Sequence, residues 1–221
     1  KGMTYELQTL TGFDESALTE DGGYGTLTIP EYVQAVALET DGREESPVTY
    51  LPYLVGTMEI PASVVYIKPD SISSVLDAYR VAEDSEYYAS TEGGILTSRD
   101  GTEYLAIPEN NENVTVPENV TSVRLPESYC GTVTLMARSE DRLPSINFEE
   151  LHGSVIVQPE LLNAFVTKYG RQLNGTGTTV SVAGSDAKYE VHDGYLTHQE
   201  DGATVLDRVV TDAEIYRLAQ G

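Results

Sequence analysis

A ten-residue pattern that occurs three times constrains the fold of this chain more than any other feature. Leu27-Thr28-Ile29-Pro30-Glu31-Tyr32-Val33-Gln34-Ala35-Val36 returns as Met58-Glu59-Ile60-Pro61-Ala62-Ser63-Val64-Val65-Tyr66-Ile67 and as Val114-Thr115-Val116-Pro117-Glu118-Asn119-Val120-Thr121-Ser122-Val123. The apolar-polar-apolar opening has a period of two, so both apolar side chains fall on one face of a short strand. Proline then ends the strand, because it lacks a backbone donor and biases its predecessor toward extended structure. The following Val and Val or Ile turn inward as the chain rounds the corner. One such unit cannot bury its apolar ladder alone, but stacked neighbours can, and that is the logic of a solenoid. A degenerate fourth unit begins at Val155-Ile156-Val157-Gln158-Pro159.

A longer repeat supports the same architecture. Val81, Tyr88, Gly94-Ile95-Leu96-Thr97 and Asp100-Gly101 return as Val182, Tyr189, Gly194-Tyr195-Leu196-Thr197 and Asp201-Gly202. Each Asp-Gly pair lies between apolar segments, as a tight hairpin turn requires, so each copy predicts an inserted β-hairpin with the same turn. Helical signal is sparse. Pro159-Glu160 to Tyr169-Gly170 starts with Pro and ends at Gly, and Thr211 to Leu218 carries a capping box completed by Glu214. Ser71 to Val75 is ambiguous between helix and turn. Asn174 to Thr179 and Glu39 to Ser46 are expected to be loops.

These residues resemble the BspA-like leucine-rich-repeat proteins of bacterial surfaces, whose units carry an I-P-x-x-V-x-x-I core. Some members insert a segment of the form V-x-x-x-N-x-x-Y-x-x-x-x-G-x-L, which Val182, Asp186, Tyr189, Gly194 and Leu196 match with Asp in place of Asn. The first copy, with Val81, Ser85, Tyr88, Gly94 and Leu96, has one extra residue before its glycine. The family's Ala-Phe pair is missing or replaced here by Ser71-Ile72. The resemblance covers residues 27–125 and 155–206. It implies a mainly β fold with few short helices, a leucine-rich-repeat-like solenoid with inserted hairpins over residues 27–221. The long repeat copies then lie at about 58–107 and 155–210, and residues 1–26 form an unassigned segment or cap. It also implies export, a secreted or cell-surface location, and action by binding, with no shared catalytic residue.

Composition narrows the function classes. With 13 basic and 36 acidic residues the formal charge is −23, so nucleic acid and anionic membrane faces are repelled. No apolar run is long enough for a membrane span or a signal sequence, so an export signal or anchor is expected outside this chain. One cysteine in 221 residues excludes an internal disulfide and fits a cysteine-poor bacterial surface protein. The sequons at Asn113, Asn119 and Asn174 are read as chance within Thr-rich strands.

Candidate chemistry is thin. Cys130 has no His beside it in sequence and is expected to be a buried or half-buried thiol. His192 and His198 are six apart with Asp193 beside the first, without the spacing of a zinc site. Glu44-Glu45, Glu149-Glu150 and Glu200-Asp201 fit a solvated face better than a calcium loop or a glycosidase pair. Tyrosine alone stands above background, with 15 residues and no Trp. Tyr24, Tyr32, Tyr50, Tyr53, Tyr66, Tyr87 and Tyr104 sit beside turns or at polar-phase positions. Exposed, they suit protein or glycan recognition; the alternative is that they replace Phe in the core ladders. The expectation is a non-enzyme without cofactor or metal, binding an extracellular protein or glycan, with an accessory region of a larger secreted enzyme as the alternative.

Overall fold

The computed structural model describes residues 7–13, 17–19, 24–38, 55–72, 75–201 and 203–209. The chain divides into two compact units, Lys1–Asn111 and Glu112–Gly221. Each long repeat copy falls in one of them. The expected helix at Thr211 to Leu218, the Glu39 to Ser46 loop, Glu44-Glu45, Tyr50, Tyr53 and Gly202 lie outside the described residues.

The first unit holds β1 (Thr9–Leu10), β2 (Leu18–Thr19), β3 (Gly25–Thr28), β4 (Ala35–Val36), β5 (Val55–Ile60), β6 (Tyr66–Ile67), β7 (Ala78–Val81), β8 (Tyr88–Ser90), β9 (Leu96–Ser98) and β10 (Glu103–Ala106). β3, β5 and β7 run parallel, with Leu27 beside Met58 and Met58 beside Tyr79. β1, β4 and β6 form a second parallel ladder in which Leu10, Val36 and Ile67 are aligned. The β3–β4 and β5–β6 rungs therefore each contribute one short strand to each ladder and turn at a proline. Between the ladders lie Leu27, Ile29, Val33, Val36, Met58, Ile60, Val64 and Tyr79, all buried, as the repeat phase predicts. Ser71 and Ile72 are buried too, at the end of a 3-10 turn at Pro69–Ser71.

The second unit holds β11 (Asn113–Val116), β12 (Ser122–Val123), β13 (Thr132–Leu135), β14 (Ser145–Ile146), β15 (Ser154–Val157), β16 (Thr179–Val182), β17 (Lys188–His192), β18 (Tyr195–Glu200) and β19 (Ala203–Val209), with one helix, α1 (Leu162–Leu173). β11, β13, β15 and β16 are parallel, and β17, β18 and β19 extend the same sheet antiparallel. Val114, Val133, Val155 and Val180 align one per rung and are at most 1% exposed. β12 and β14 make the opposing ladder. In the last rung α1 takes that place, packing Phe165 and Tyr169 against Phe148 with ring centroids 4.8 to 5.4 Å apart. The molecule is mainly β, with leucine-rich-repeat-like rungs and inserted hairpins.

Identical corners show that one sequence signature makes one local structure. The Val33 N–H donates to Pro30 O at 3.0 Å, Val64 to Pro61 at 3.3 Å and Val120 to Pro117 at 3.1 Å. The rung at β13 and β14 carries no such proline and falls in residues 126–154, outside the resemblance. Its apolar phase, Val133 and Leu135, is nonetheless that of its neighbours.

Three sequence expectations are corrected. α1 runs through Gly170 to Leu173, because Gly170 and Leu173 are buried on its packed face and tertiary burial outweighs the stop signal. Thr179 opens β16 instead of closing a loop. The two hairpins also differ in their turns. In the first, the Thr91 N–H donates to Ile95 O at 3.0 Å around the three-residue loop Glu92-Gly93-Gly94, which closes with Gly94 at φ 74°, a type I turn with a G1 bulge. In the second, His192 pairs with Tyr195 around Asp193-Gly194, both at positive φ, a two-residue type I′ turn. The extra residue before Gly94 is this added loop position. The next turns differ likewise: at Asp100-Gly101 only the glycine has positive φ, whereas Asp201 itself has φ 49°. The buried threonines are equivalent all the same. Thr97 Oγ1 donates to Ala89 O and Thr197 Oγ1 to Glu190 O, both at 3.3 Å.

Candidate binding face

Strand alternation in the second unit sends valines inward and polar residues outward, and the register aligns the outward set. Asn113, Thr132, Ser154 and Thr179 are lateral neighbours, as are Thr115, Thr134, Ile156 and Ser181. Ser181 pairs with Lys188 on β17, and continuing that register by one residue sets Thr179 beside Glu190. Glu190 pairs with Thr197, and Tyr189 with His198, which sets Lys188 beside Gln199. On β19 these rows end at Leu206 and Thr204. Two rows thus cross seven strands, a distance of about 29 Å at the usual strand spacing of about 4.8 Å.

Only Glu190 and Lys188 are ionisable in these rows, and their charges oppose. That neutrality stands out in a chain of charge −23. In the first unit the corresponding row likewise holds one acid and one base: Thr28 Oγ1 donates to Glu59 Oε2 at 2.7 Å, and Arg80 lies 3.9 Å from Glu59 Oε1.

A cleft of about 440 Å³ opens on the rows where the parallel strands meet the hairpin. Thr179, Lys188, Glu190, Thr197 and Gln199 line it, with Asp186 and Ala187 of the loop before β17 as a wall. Tyr189 and His198, which also border it, lie between the two rows in sequence and so supply floor backbone; by alternation their side chains go to the other face. There the rings meet edge to face at 6.0 Å, and His198 Nδ1 lies 2.8 Å from Asp207 Oδ2. A bulge in β19 lets consecutive residues reach that inner side. Asp207 takes the His198 ring, while Arg208 donates to Asn163 Oδ1 at 2.7 Å and to Asn163 O at 3.1 Å, tying the hairpin to α1. The Arg208 Nε is buried without a partner among the described residues.

The candidates singled out in sequence do not converge. His192 and His198 are three ladder positions apart, hence on opposite faces, and each has its own carboxylate, Asp193 at 3.1 Å and Asp207 at 2.8 Å. Cys130 is exposed, with Sγ 3.3 Å from Ser128 O, against the expectation of burial. Tyr129 takes the inward position of that rung, paired with Leu151, so the next residue must point out. Glu150 accepts the Ser128 N–H at 3.3 Å, and Glu200-Asp201 form a hairpin turn. Of the tyrosines, Tyr24, Tyr32, Tyr66 and Tyr87 are exposed, whereas Tyr104 is buried in the hairpin core.

Comparison with known proteins adds little to this geometry. No family model and no curated protein matches the chain. Among solved structures, the pneumococcal vaccine antigen PcpA is similar over 50% of this chain and 33% of its own, at 14% identity and TM-score 0.35. A leucine-rich repeat protein from Eubacterium ventriosum is similar over 71% of this chain and 53% of its own, at 12% identity and TM-score 0.34. The chain thus spans about a third to a half of those two structures. No described helix is long and apolar enough to cross a membrane.

Asp186, Tyr189 and Thr197 are positions of the long repeat and His198 is a sequence candidate, but Thr179, Ala187, Lys188, Glu190 and Gln199 belong to no motif, so the cleft itself was not legible in sequence. The available signal was the polar phase of Thr132-Val133-Thr134-Leu135 and Thr179-Val180-Ser181-Val182, which becomes a surface only when rungs stack in register.

Proposed function

We propose that this chain is a non-catalytic, exported surface module of the BspA-like kind, binding an extracellular protein or glycan through the outward face of the second unit. The observation that carries this reading is the pair of rows crossing seven strands in register. An extended face offers many weak contacts and broad area, the arrangement by which solenoids bind. Catalysis needs a nucleophile, a base and an acceptor of developing charge within reach of one atom, and Cys130, His192 and His198 are dispersed.

The test is an array of matrix proteins and glycans probed with the parent and with Thr134→Arg and Ser154→Arg, each checked for an unchanged circular dichroism melt. Capture by the parent that both variants lose supports the reading. Capture that survives both refutes the face as the binding surface. Steady turnover of an ester, peptide or glycoside, abolished by changing Cys130, His192 or His198, overturns the non-enzyme reading.

A further inference from the structure

Resting on that face as the binding surface, we infer that the cleft over β16, β17 and β18 holds one end of an uncharged glycan laid across the strands. Its volume of about 440 Å³ lies in the range of small-ligand sites, roughly 300–1,000 Å³. Its chemistry narrows the ligand further. Lys188 only donates hydrogen bonds, Glu190 and Asp186 accept as carboxylates, and Gln199 does both, its Nε2 donating to Thr204 Oγ1 at 2.9 Å and leaving its carbonyl as acceptor. A phosphate, sulfate or carboxylate ligand would face two carboxylates. A cation would face the Lys188 ammonium, and a wholly apolar ligand would leave Lys188, Glu190, Asp186 and Gln199 without hydrogen-bond partners. A sugar's hydroxyls each donate and accept, and they use such a mixed set fully.

The rows extend the argument beyond the cleft. From Thr179 and Ser181 they lead to Ser154 and Ile156, then to Thr132 and Thr134, one strand every 4.7–4.9 Å or so. That step is close to the length of one sugar unit in an extended chain, so each added unit meets a fresh pair of side chains. Affinity therefore grows with oligosaccharide length across the parallel strands. A neutral polymer meets no net repulsion from this acidic surface, whereas a polyanion would be repelled.

Calorimetric titration with neutral β-linked glucan, mannan and galactan oligomers of one to six or so units tests this, beside a sulfated glycan and the proteins of the array above. The expected result is saturable binding of at least one neutral series that tightens with length. Glu190→Gln and Lys188→Met should each weaken it about tenfold or more, and Thr134→Arg should weaken only the longer oligomers. Glu190 and Lys188 are exposed and Thr134 is half-buried, and the melting curve checks that each variant keeps the fold. If no neutral series binds while a protein or the sulfated glycan does and is lost in Thr134→Arg and Ser154→Arg, the glycan assignment is overturned and the face stands. If a neutral series binds but Glu190→Gln and Lys188→Met leave it unchanged, the cleft assignment is overturned. If nothing binds, or binding ignores every substitution on the face, both inferences fall.

Discussion

Ile60 precedes the strand-ending proline of its rung, is 2% exposed, and passes its carbonyl to the Ala82 N–H of the next rung at 2.9 Å. Ile60→Asp would bury an unpaired carboxylate there and cost on the order of 3 kcal/mol or more, read as a lowered denaturation midpoint. A mutant that melts like the parent would show the repeat register to be wrong. Gly153 gives a second residue-level test, since a Cβ there would sit 2.1 Å from Gly131 O and 2.4 Å from Cys130 O, which are backbone atoms and cannot yield cheaply. Gly153→Ala should therefore destabilise by about 2 kcal/mol or more, and a neutral effect would show that the rungs are spaced more widely. Buried phenols set an alkaline limit. Burial, with Glu112 adding repulsion, pushes the Tyr129 phenol from 10.0 up to about 12, and burial pushes Tyr79 and Tyr169 up as well. A raised folded value favours the protonated phenol, so its contribution is complete below about 10 and is lost as pH rises from there through about 12. Spectrophotometric titration should find these tyrosines ionising only as the fold opens; a single reversible step for all 15 would contradict their burial.

The hairpins make an element-scale comparison, because Gly94 and Gly101 have nearly the same backbone, φ 74° and 69°, in different surroundings. A Cβ at Gly94 would meet Ala78 Cβ at 2.7 Å, whereas one at Gly101 meets nothing within 4 Å. Gly101→Ala should cost only the left-handed penalty, about 1–2 kcal/mol, and Gly94→Ala clearly more. Equal costs in paired thermal melts would mean that the first hairpin does not pack on β7. The hairpins also show what a repeat in sequence conveys. Shared Tyr, Gly, Leu and Thr positions reproduced the burial of Leu96 and Leu196 and the threonine hydrogen bonds. Turn type followed loop length instead, where one residue separates a type I turn with a bulge from a type I′ turn.

Across the whole molecule, the charge of −23 is the dominant long-range term. Self-repulsion of that size weakens the compact state and is screened by salt, so added sodium chloride should raise the melting temperature near about pH 7. The gain should shrink near about pH 5, as carboxylates begin to protonate; an unchanged gain would locate the salt effect elsewhere. Sequence alone determined the phase of the proline-bearing rungs, because alternating apolar residues and a proline corner act over ten residues and need no distant partner. It thereby determined which side chains of those rungs enter the core, from Ile29 to Val157. The rung at β13 was not legible, since without proline its four-residue alternation cannot be told from any other short apolar run. Nor was the candidate binding face. Thr132, Ser154, Thr179, Glu190 and Thr197 are neighbours only because parallel rungs and an antiparallel hairpin join one sheet in register. Cys130 was misjudged for a related reason: residue type favours burial of a thiol, but the neighbouring Tyr129 had already taken the inward position. Periodicity tells which face a residue chooses within its strand, and only stacking decides what stands beside it.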